Sequence, residues 1–139
     1  MTEKRGEEVE HMMDEAYLAD QAWLPEDSSL MDDILFSLRQ LSREDLTAVN
    51  LILSERVGQI KREGWTPEHD DHERAGVLAG AAAAFAKAAA DEIQGLDPRC
   101  PAWWPWSKKW WKPYGFQRNL ERSAALLIAE ISRMLRTPE

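Results

Sequence analysis

The stretch Val77-Leu-Ala-Gly-Ala-Ala-Ala-Ala-Phe-Ala-Lys-Ala-Ala-Ala90 decides the fold of this chain. Alanine has the highest intrinsic helix propensity, and its small side chain lets a neighbouring helix pack closely. Thr66 and Pro67 form a typical helix start, and Gly95 is a typical helix end. The run is shorter and less apolar than the roughly 20 residues that span a membrane. The sequence therefore predicts a tightly packed core helix from about residue 66 to residue 94.

Apolar residues elsewhere in the chain recur at helical spacing, and no stretch alternates with the period that is typical of strands. Further helices are predicted over about residues 7–23, 28–41, 42–63 and 117–135. We interpret residues 1–41 as an acidic accessory helical segment and residues 42–139 as the helical core domain. The predicted fold class is all-α, a small bundle of about five helices with a long loop before the last helix.

The predicted helices also have predicted buried faces. The helix over residues 42–63 is expected to bury Leu46, Val49, Leu53, Val57 and Ile60. The last helix is expected to bury Leu120, Ala124, Leu127, Ile131 and Met134. Gly76 and Gly80 each cost a helix about 1 kcal/mol relative to alanine. We therefore expect a close approach there by another backbone, an indole ring or a ligand.

The charge of the chain is negative and unevenly distributed. The net charge of −8 disfavours a surface for long nucleic acids, because phosphate binding requires clustered cations. Residues 1–33 are acidic, whereas residues 99–122 contain six Lys or Arg and a single acid, Glu121. A local basic site in an acidic chain fits a small anionic ligand. With one cysteine and no basic and apolar leader, we expect a cytoplasmic protein that does not enter a membrane.

Five of the seven tryptophans lie between Trp103 and Trp111, in a segment that we call the tryptophan loop (residues 98–115). Pro101, Pro105 and Pro113 prevent a regular helix through it. Indoles stack on flat partners, and cations bind phosphates and aromatic faces. The candidate binding residues are Trp103, Trp104, Trp106, Lys108, Lys109, Trp110, Trp111, Lys112, Arg118 and Arg122. The loop is interpreted as a stiff nucleotide-binding surface or, alternatively, as a structural plug at one end of the bundle.

A second candidate site is the segment Gly64-Trp-Thr-Pro-Glu-His-Asp-Asp-His-Glu-Arg-Ala-Gly76. On one continuous helix, His69 and Glu73 would share a stripe with the glycines, His72 would border that stripe, and Asp70 and Asp71 would lie further round the helix. Trp65, His69 and Asp70 are then candidates for contacts to the polar edge of a ligand. Alternatively, a divalent metal that activates water is held by Glu68, His69, Asp70, Asp71 and His72, together with Glu130. A third interpretation is a solvated first turn whose acids stabilise the helix dipole.

Several short motifs between Arg56 and Arg136 form a specific combination. They are Arg56-x-x-Gln59, Glu63-Gly-Trp-Thr-x-Glu-His-Asp-Asp71, Gly76-x-Leu-Ala79, Ala81-Ala82, Trp104-Pro-Trp106, Trp111-Lys-Pro113, Arg118 through Ala124-x-Leu126, and Ala129-Glu130-Ile131-x-Arg133. In these motifs the chain resembles a group of small proteins encoded by tailed phages and prophages. His72 departs from the pattern of that group, in which a residue separates the aspartates from the histidine. The resemblance implies a phage origin and a compact helical domain, and it implies no mechanism.

Together these features predict a phage-encoded binding protein with no catalytic residues, metal or cofactor. By analogy with phage proteins that counter host defence, it would sequester a nucleotide-derived immune signal, a cyclic oligonucleotide or an ADP-ribose derivative, in the host cytoplasm. One alternative is a metal-dependent nucleotide hydrolase that uses residues 68–72. Another is an inhibitor whose acidic N-terminal helix occupies a basic groove of a host protein. A homo-oligomer is expected, because residues 1–41 carry more apolar side chains than a short bundle covers, namely Met12, Met13, Leu30 and Leu38.

Overall fold

The computed structural model describes residues 28–136 of the chain. Its helices are α1 (Ser28–Leu38), α2 (Arg43–Lys61), α3 (Pro67–Asp70), α4 (Val77–Ile93) and α5 (Phe116–Arg136), with a 3₁₀ turn at Lys108–Trp110. This described part contains five α-helices and no strand, so the predicted all-α class is confirmed. The helix predicted over residues 7–23 lies outside the described residues. Between residues 28 and 136, no helix is long and apolar enough to cross a membrane.

The chain divides into two compact units, with the boundary between Ser42 and Arg43. In the first unit, α1 exposes the apolar side chains of Leu30, Ile34 and Phe36. The second unit contains α2 to α5 and the tryptophan loop. The accessory role of the acidic residues 1–41 stays a prediction, since most of that segment lies outside the described part of the chain.

The core of the second unit lies between α4 and α5. Ala81, Ala82 and Phe85 of α4 are buried in one cluster with Leu126 and Ala129 of α5. The hydroxyl of Ser123 donates a hydrogen bond of 2.7 Å to the carbonyl oxygen of Ala82. This contact requires close helix packing, which alanine side chains allow. The alanine run is therefore a core helix, as its composition predicts.

The prediction of a single helix over residues 66–94 is wrong, because the helix is interrupted between α3 and α4. Gly76 has a left-handed φ of 88°, which only glycine adopts at low cost. Its N–H donates a hydrogen bond of 2.9 Å to a carboxylate oxygen of Glu130 on α5, which fixes the break. The expected polar stripe therefore does not form. The expected close approach by another backbone or an indole ring at Gly76 and Gly80 is also wrong, since a Cβ atom at either position would meet nothing within 4 Å.

The faces that α2 and α5 bury differ from the predicted ones. Leu46, Leu53 and Val57 of α2 are exposed, as are Leu120, Leu127, Ile131 and Met134 of α5. Instead, α2 buries Glu55, Arg56, Gly58 and Gln59. The reason is that α2 and the residues after it are joined to α5 by ion pairs, of which Arg118 to Glu55 at 2.7 Å is one. A hydrophobic stripe in the sequence does not report such charged contacts, so the predicted faces are wrong.

Candidate functional site

The segment after α2 and the tryptophan loop enclose a cavity of about 670 Å³ beside α4 and α5, which we call the tryptophan cavity. Small-molecule sites in proteins typically have volumes of about 300–1,000 Å³. Its aromatic lining consists of Trp65, Phe85, Trp104, Trp106, Trp110 and Tyr114. Its charged and titratable lining consists of Glu63, His69, Asp70, Glu73, Lys112 and Arg122. The cavity is thus mainly aromatic, with polar groups of both charges.

Trp104 forms the buried inner wall of the cavity and is 8% exposed. Its ring makes edge contacts with Phe85, Trp106 and Trp111 at centroid distances of 5.7, 5.3 and 4.9 Å. Its Nε1 donates a hydrogen bond to the carbonyl oxygen of Ser107. The Nε1 of Trp111 likewise donates to a backbone carbonyl at the start of the loop. These two indoles hold the tryptophan loop against α4, which is the behaviour expected of a structural plug.

Three other indoles present surface to the cavity. Trp65 and Trp106 are partly buried, with ring centroids 6.1 Å apart and planes tilted by 49°. Trp110 is 60% exposed, and the ammonium of Lys109 lies 5.2 Å from the centre of its ring. Aromatic faces of this kind are available for stacking with a planar ligand. The tryptophan loop therefore contributes both buried or partly buried indoles that pack against α4 and indoles that line the cavity.

Asp70 lies at the polar floor of the cavity and is 1% exposed. Its Oδ2 accepts a hydrogen bond of 3.1 Å from Arg56 of α2, which also donates to the carbonyl oxygen of Trp65. The Nδ1 of His69 lies 3.5 Å from the other carboxylate oxygen. A buried carboxylate is stable only when it is paired. Asp70 therefore fixes the Trp65 segment to α2.

The arginines of α5 are held by carboxylates. Arg122 pairs with Glu63 at 2.9 Å, and its guanidinium lies 4.2 Å from the ring centre of Tyr114. Arg118 pairs with Glu55 and Glu121, and the hydrogen bond to Glu55 raises the pKa of its guanidinium. Arg118 does not line the cavity. Arg122 thus borders the cavity with its charge already neutralised.

Two charged side chains in the lining of the cavity are available to a ligand. Within residues 28–136, neither the carboxylate of Glu73 nor the ammonium of Lys112 has a hydrogen-bond or ion-pair partner. Lys112 is exposed and Glu73 is half-buried. The cavity therefore offers one hydrogen-bond acceptor with negative charge and one donor with positive charge.

Eight of the thirteen predicted site residues line the cavity. They are Trp65, His69, Asp70, Trp104, Trp106, Trp110, Lys112 and Arg122. Five do not line it, namely Trp103, Lys108, Lys109, Trp111 and Arg118. The sequence analysis missed six lining residues, namely Glu63, Glu73, Leu78, Phe85, Ser107 and Tyr114. Glu63, Glu73 and Tyr114 lie in or next to the two segments singled out for their chemistry.

Three of the four acids of the proposed metal cluster are paired with arginines, namely Asp70, Asp71 and Glu130. Asp71 pairs with Arg136 at 2.8 Å, and Glu130 accepts hydrogen bonds from Arg133 and from the Gly76 N–H. The hydrogen bond from Arg133, followed by the one from Gly76, lowers the pKa of Glu130. In the described part of the chain, no three His, Cys, Asp or Glu side chains are grouped so as to hold a metal ion.

Comparison with known proteins gives no family for this chain. No family model, curated protein or solved structure matches it. The resemblance to phage-encoded proteins therefore stays a prediction, and the function is inferred from the geometry of the tryptophan cavity.

Proposed function

We propose that the chain binds a small nucleotide-like ligand in the tryptophan cavity and releases it unchanged. The observation that carries this proposal is an aromatic cavity of about 670 Å³ whose available charges are those of Glu73 and Lys112. A base stacks on an indole with a free energy of about 1–3 kcal/mol. The faces of Trp65, Trp106 and Trp110 provide this stacking surface.

The polar groups of a nucleotide match the charges that the cavity leaves available. The ammonium of Lys112 binds a phosphate, and the exposed Lys108 and Lys109 lie on the 3₁₀ turn just before it. The carboxylate of Glu73 accepts hydrogen bonds from a base amino group or from ribose hydroxyls. Because Arg122 is already paired with Glu63, the cavity suits a ligand with few phosphates and not a polyphosphate.

The ligand that we propose is a nucleotide-derived immune signal, a cyclic oligonucleotide or an ADP-ribose derivative. This part of the proposal joins the cavity to the resemblance with phage-encoded proteins, and it gives the chain a sequestering role in the host cytoplasm during infection. The pairing of Asp70 with Arg56 and of Asp71 with Arg136 supports binding over hydrolysis, because both carboxylates already have a cationic partner within the protein.

The test is a binding panel of cyclic dinucleotides, cyclic trinucleotides and ADP-ribose isomers, followed by tryptophan fluorescence. Trp110→Ala should weaken binding by roughly one to two decades, which corresponds to the loss of one stacked base. Trp103→Ala is the matched control. Trp103 is 52% exposed but lies outside the cavity lining, so its removal should leave affinity unchanged.

The fate of the ligand separates the candidate functions. Ligand that is recovered intact after heat release supports sequestration, whereas a product that forms only with Mn²⁺ or Mg²⁺ supports the hydrolase. If no nucleotide in the panel changes fluorescence or melting temperature, the proposal is overturned and the tryptophan loop is a plug. The inhibitor alternative depends on residues 1–27, which lie outside the described part of the chain.

A further inference from the structure

One side of α5 carries a continuous exposed apolar stripe. Leu120, Leu127, Ile131 and Met134 are 43%, 46%, 59% and 59% exposed, and their spacing places them on one side of the helix. Phe116 and Leu135 extend the stripe at its two ends. At a rise of 1.5 Å per residue, the stripe is about 29 Å long.

The stripe contains no charged side chain. The charged residues of α5 lie on its other sides, where Arg118 and Arg122 pair with acids near α2 and Arg133 pairs with Glu130. A long apolar surface without charges is typical of the centre of a protein interface and not of a solvated helix face.

We propose that this stripe joins two copies of the chain, with their α5 helices packed antiparallel about Leu127. Leu120 and Met134 lie seven residues to either side of Leu127. A two-fold axis at Leu127 therefore sets Leu120 of one copy against Met134 of the other. The surface is then complementary to itself, as a two-fold dimer requires.

A second copy of α5 matches the stripe better than the rest of the same chain does. α1 has 11 residues and is about 16 Å long, which is too short to cover the stripe. Residues 1–27 contain nine acids and two Lys or Arg, so their charge does not match an uncharged surface. A second α5 has the same length and the same lack of charge.

The proposed dimer leaves the tryptophan cavity open. Arg122 borders the cavity and lies five residues from Leu127, which is about 140° around the helix. The dimer is therefore independent of the proposed ligand, and either proposal can fail without the other.

The first test is sedimentation of the full chain and two arginine variants. The wild type should sediment as a dimer, and Leu127→Arg should sediment as a monomer with unchanged helical circular dichroism, because Leu127 is half exposed within one copy. Leu53→Arg is the matched control. Leu53 is 51% exposed on the apolar side of α2, so this variant should remain a dimer.

The second test determines the register with cysteine pairs in a Cys100→Ala background. Leu127→Cys should form a disulfide-linked dimer upon oxidation. Leu120→Cys alone should form no disulfide-linked dimer. An equal mixture of Leu120→Cys and Met134→Cys should form one. A wild type that is monomeric at all concentrations overturns the proposal. The proposal is also overturned if the Leu53→Arg variant is a monomer and the Leu127→Arg variant is a dimer. A monomeric wild type whose melting temperature falls with Leu127→Arg shows instead that the chain covers its own stripe.

Discussion

At the scale of single residues, two adjacent aspartates have different structural roles. Asp70 is buried and paired with Arg56, whereas Asp71 is exposed and paired with Arg136. The sequence places both in one acidic cluster and does not distinguish them, because burial depends on how α3 packs against α2.

We predict that Asp70→Ala lowers the free energy of unfolding by roughly 3–5 kcal/mol, because it leaves the Arg56 charge buried without a partner. Asp71→Ala should cost about 0–1 kcal/mol, since its pair with Arg136 is solvent-exposed. Urea denaturation followed by circular dichroism measures both values. Equal losses in the two variants would contradict the structural role of Asp70.

Glu130 should make the stability of the protein depend on pH. The hydrogen bond from Arg133 lowers its pKa in the folded state, so its carboxylate stabilises the fold above the ordinary glutamate pKa of 4.5. This contribution disappears as the pH falls through the lower folded-state pKa. The difference in the free energy of unfolding between the wild type and Glu130→Gln should therefore be largest near neutral pH and should decrease upon acidification.

Denaturation curves at a series of pH values measure the effect of Glu130. Glu68→Gln is the control, because Glu68 is exposed and, within residues 28–136, its side chain has no hydrogen-bond or ion-pair partner. The free energy of unfolding of Glu68→Gln should stay close to that of the wild type at every pH. A difference in the free energy of unfolding for Glu130→Gln that does not change with pH would contradict the prediction.

At the scale of helices, the break at Gly76 predicts opposite effects for two similar substitutions. Gly76→Ala should destabilise the fold by roughly 1–2 kcal/mol, because alanine is strained at a φ of 88°. Gly80→Ala should stabilise it by about 1 kcal/mol, since Gly80 is inside α4 and a Cβ atom there meets nothing within 4 Å. Thermal unfolding of both variants checks the signs, and a stabilising Gly76→Ala would refute the break.

The sequence predicts where helices lie more accurately than which faces they bury. Local signals such as Pro67 and the alanine run specify helix starts and interiors without reference to the rest of the chain. The buried face of α2 instead depends on Glu55 and Gln59, and Glu55 acquires its partners only when α5 is in place. Long-range ion pairs of this kind do not appear in a periodicity analysis.

At the scale of the whole molecule, the net charge of −8 does not describe the site. Around the cavity, arginines neutralise Glu63 and Asp70, which leaves Glu73 and Lys112 to interact with a ligand. The sequence indicates the aromatic and basic character of the tryptophan loop. It does not indicate which cations are already paired, because their partners are distant in sequence.

We predict that Lys112→Gln weakens the binding of the tightest nucleotide in the panel by about tenfold to a hundredfold. This range corresponds to the loss of one charge-assisted hydrogen bond to phosphate. The nucleoside made by removing the phosphates should bind equally well to the wild type and to this variant. Higher salt should reduce the difference for the nucleotide, because exposed charges are screened.

Lys87→Gln is the matched control for net charge. Lys87 lies on α4 and pairs with Asp91 at 2.7 Å, outside the cavity lining. Titration calorimetry on the three proteins at two salt concentrations gives the comparison. If Lys87→Gln weakens nucleotide binding as much as Lys112→Gln does, the effect comes from the overall field of the protein. If only Lys112→Gln weakens it, and only when phosphate is present, the phosphate lies at the lysine edge of the cavity and the base lies against the indoles.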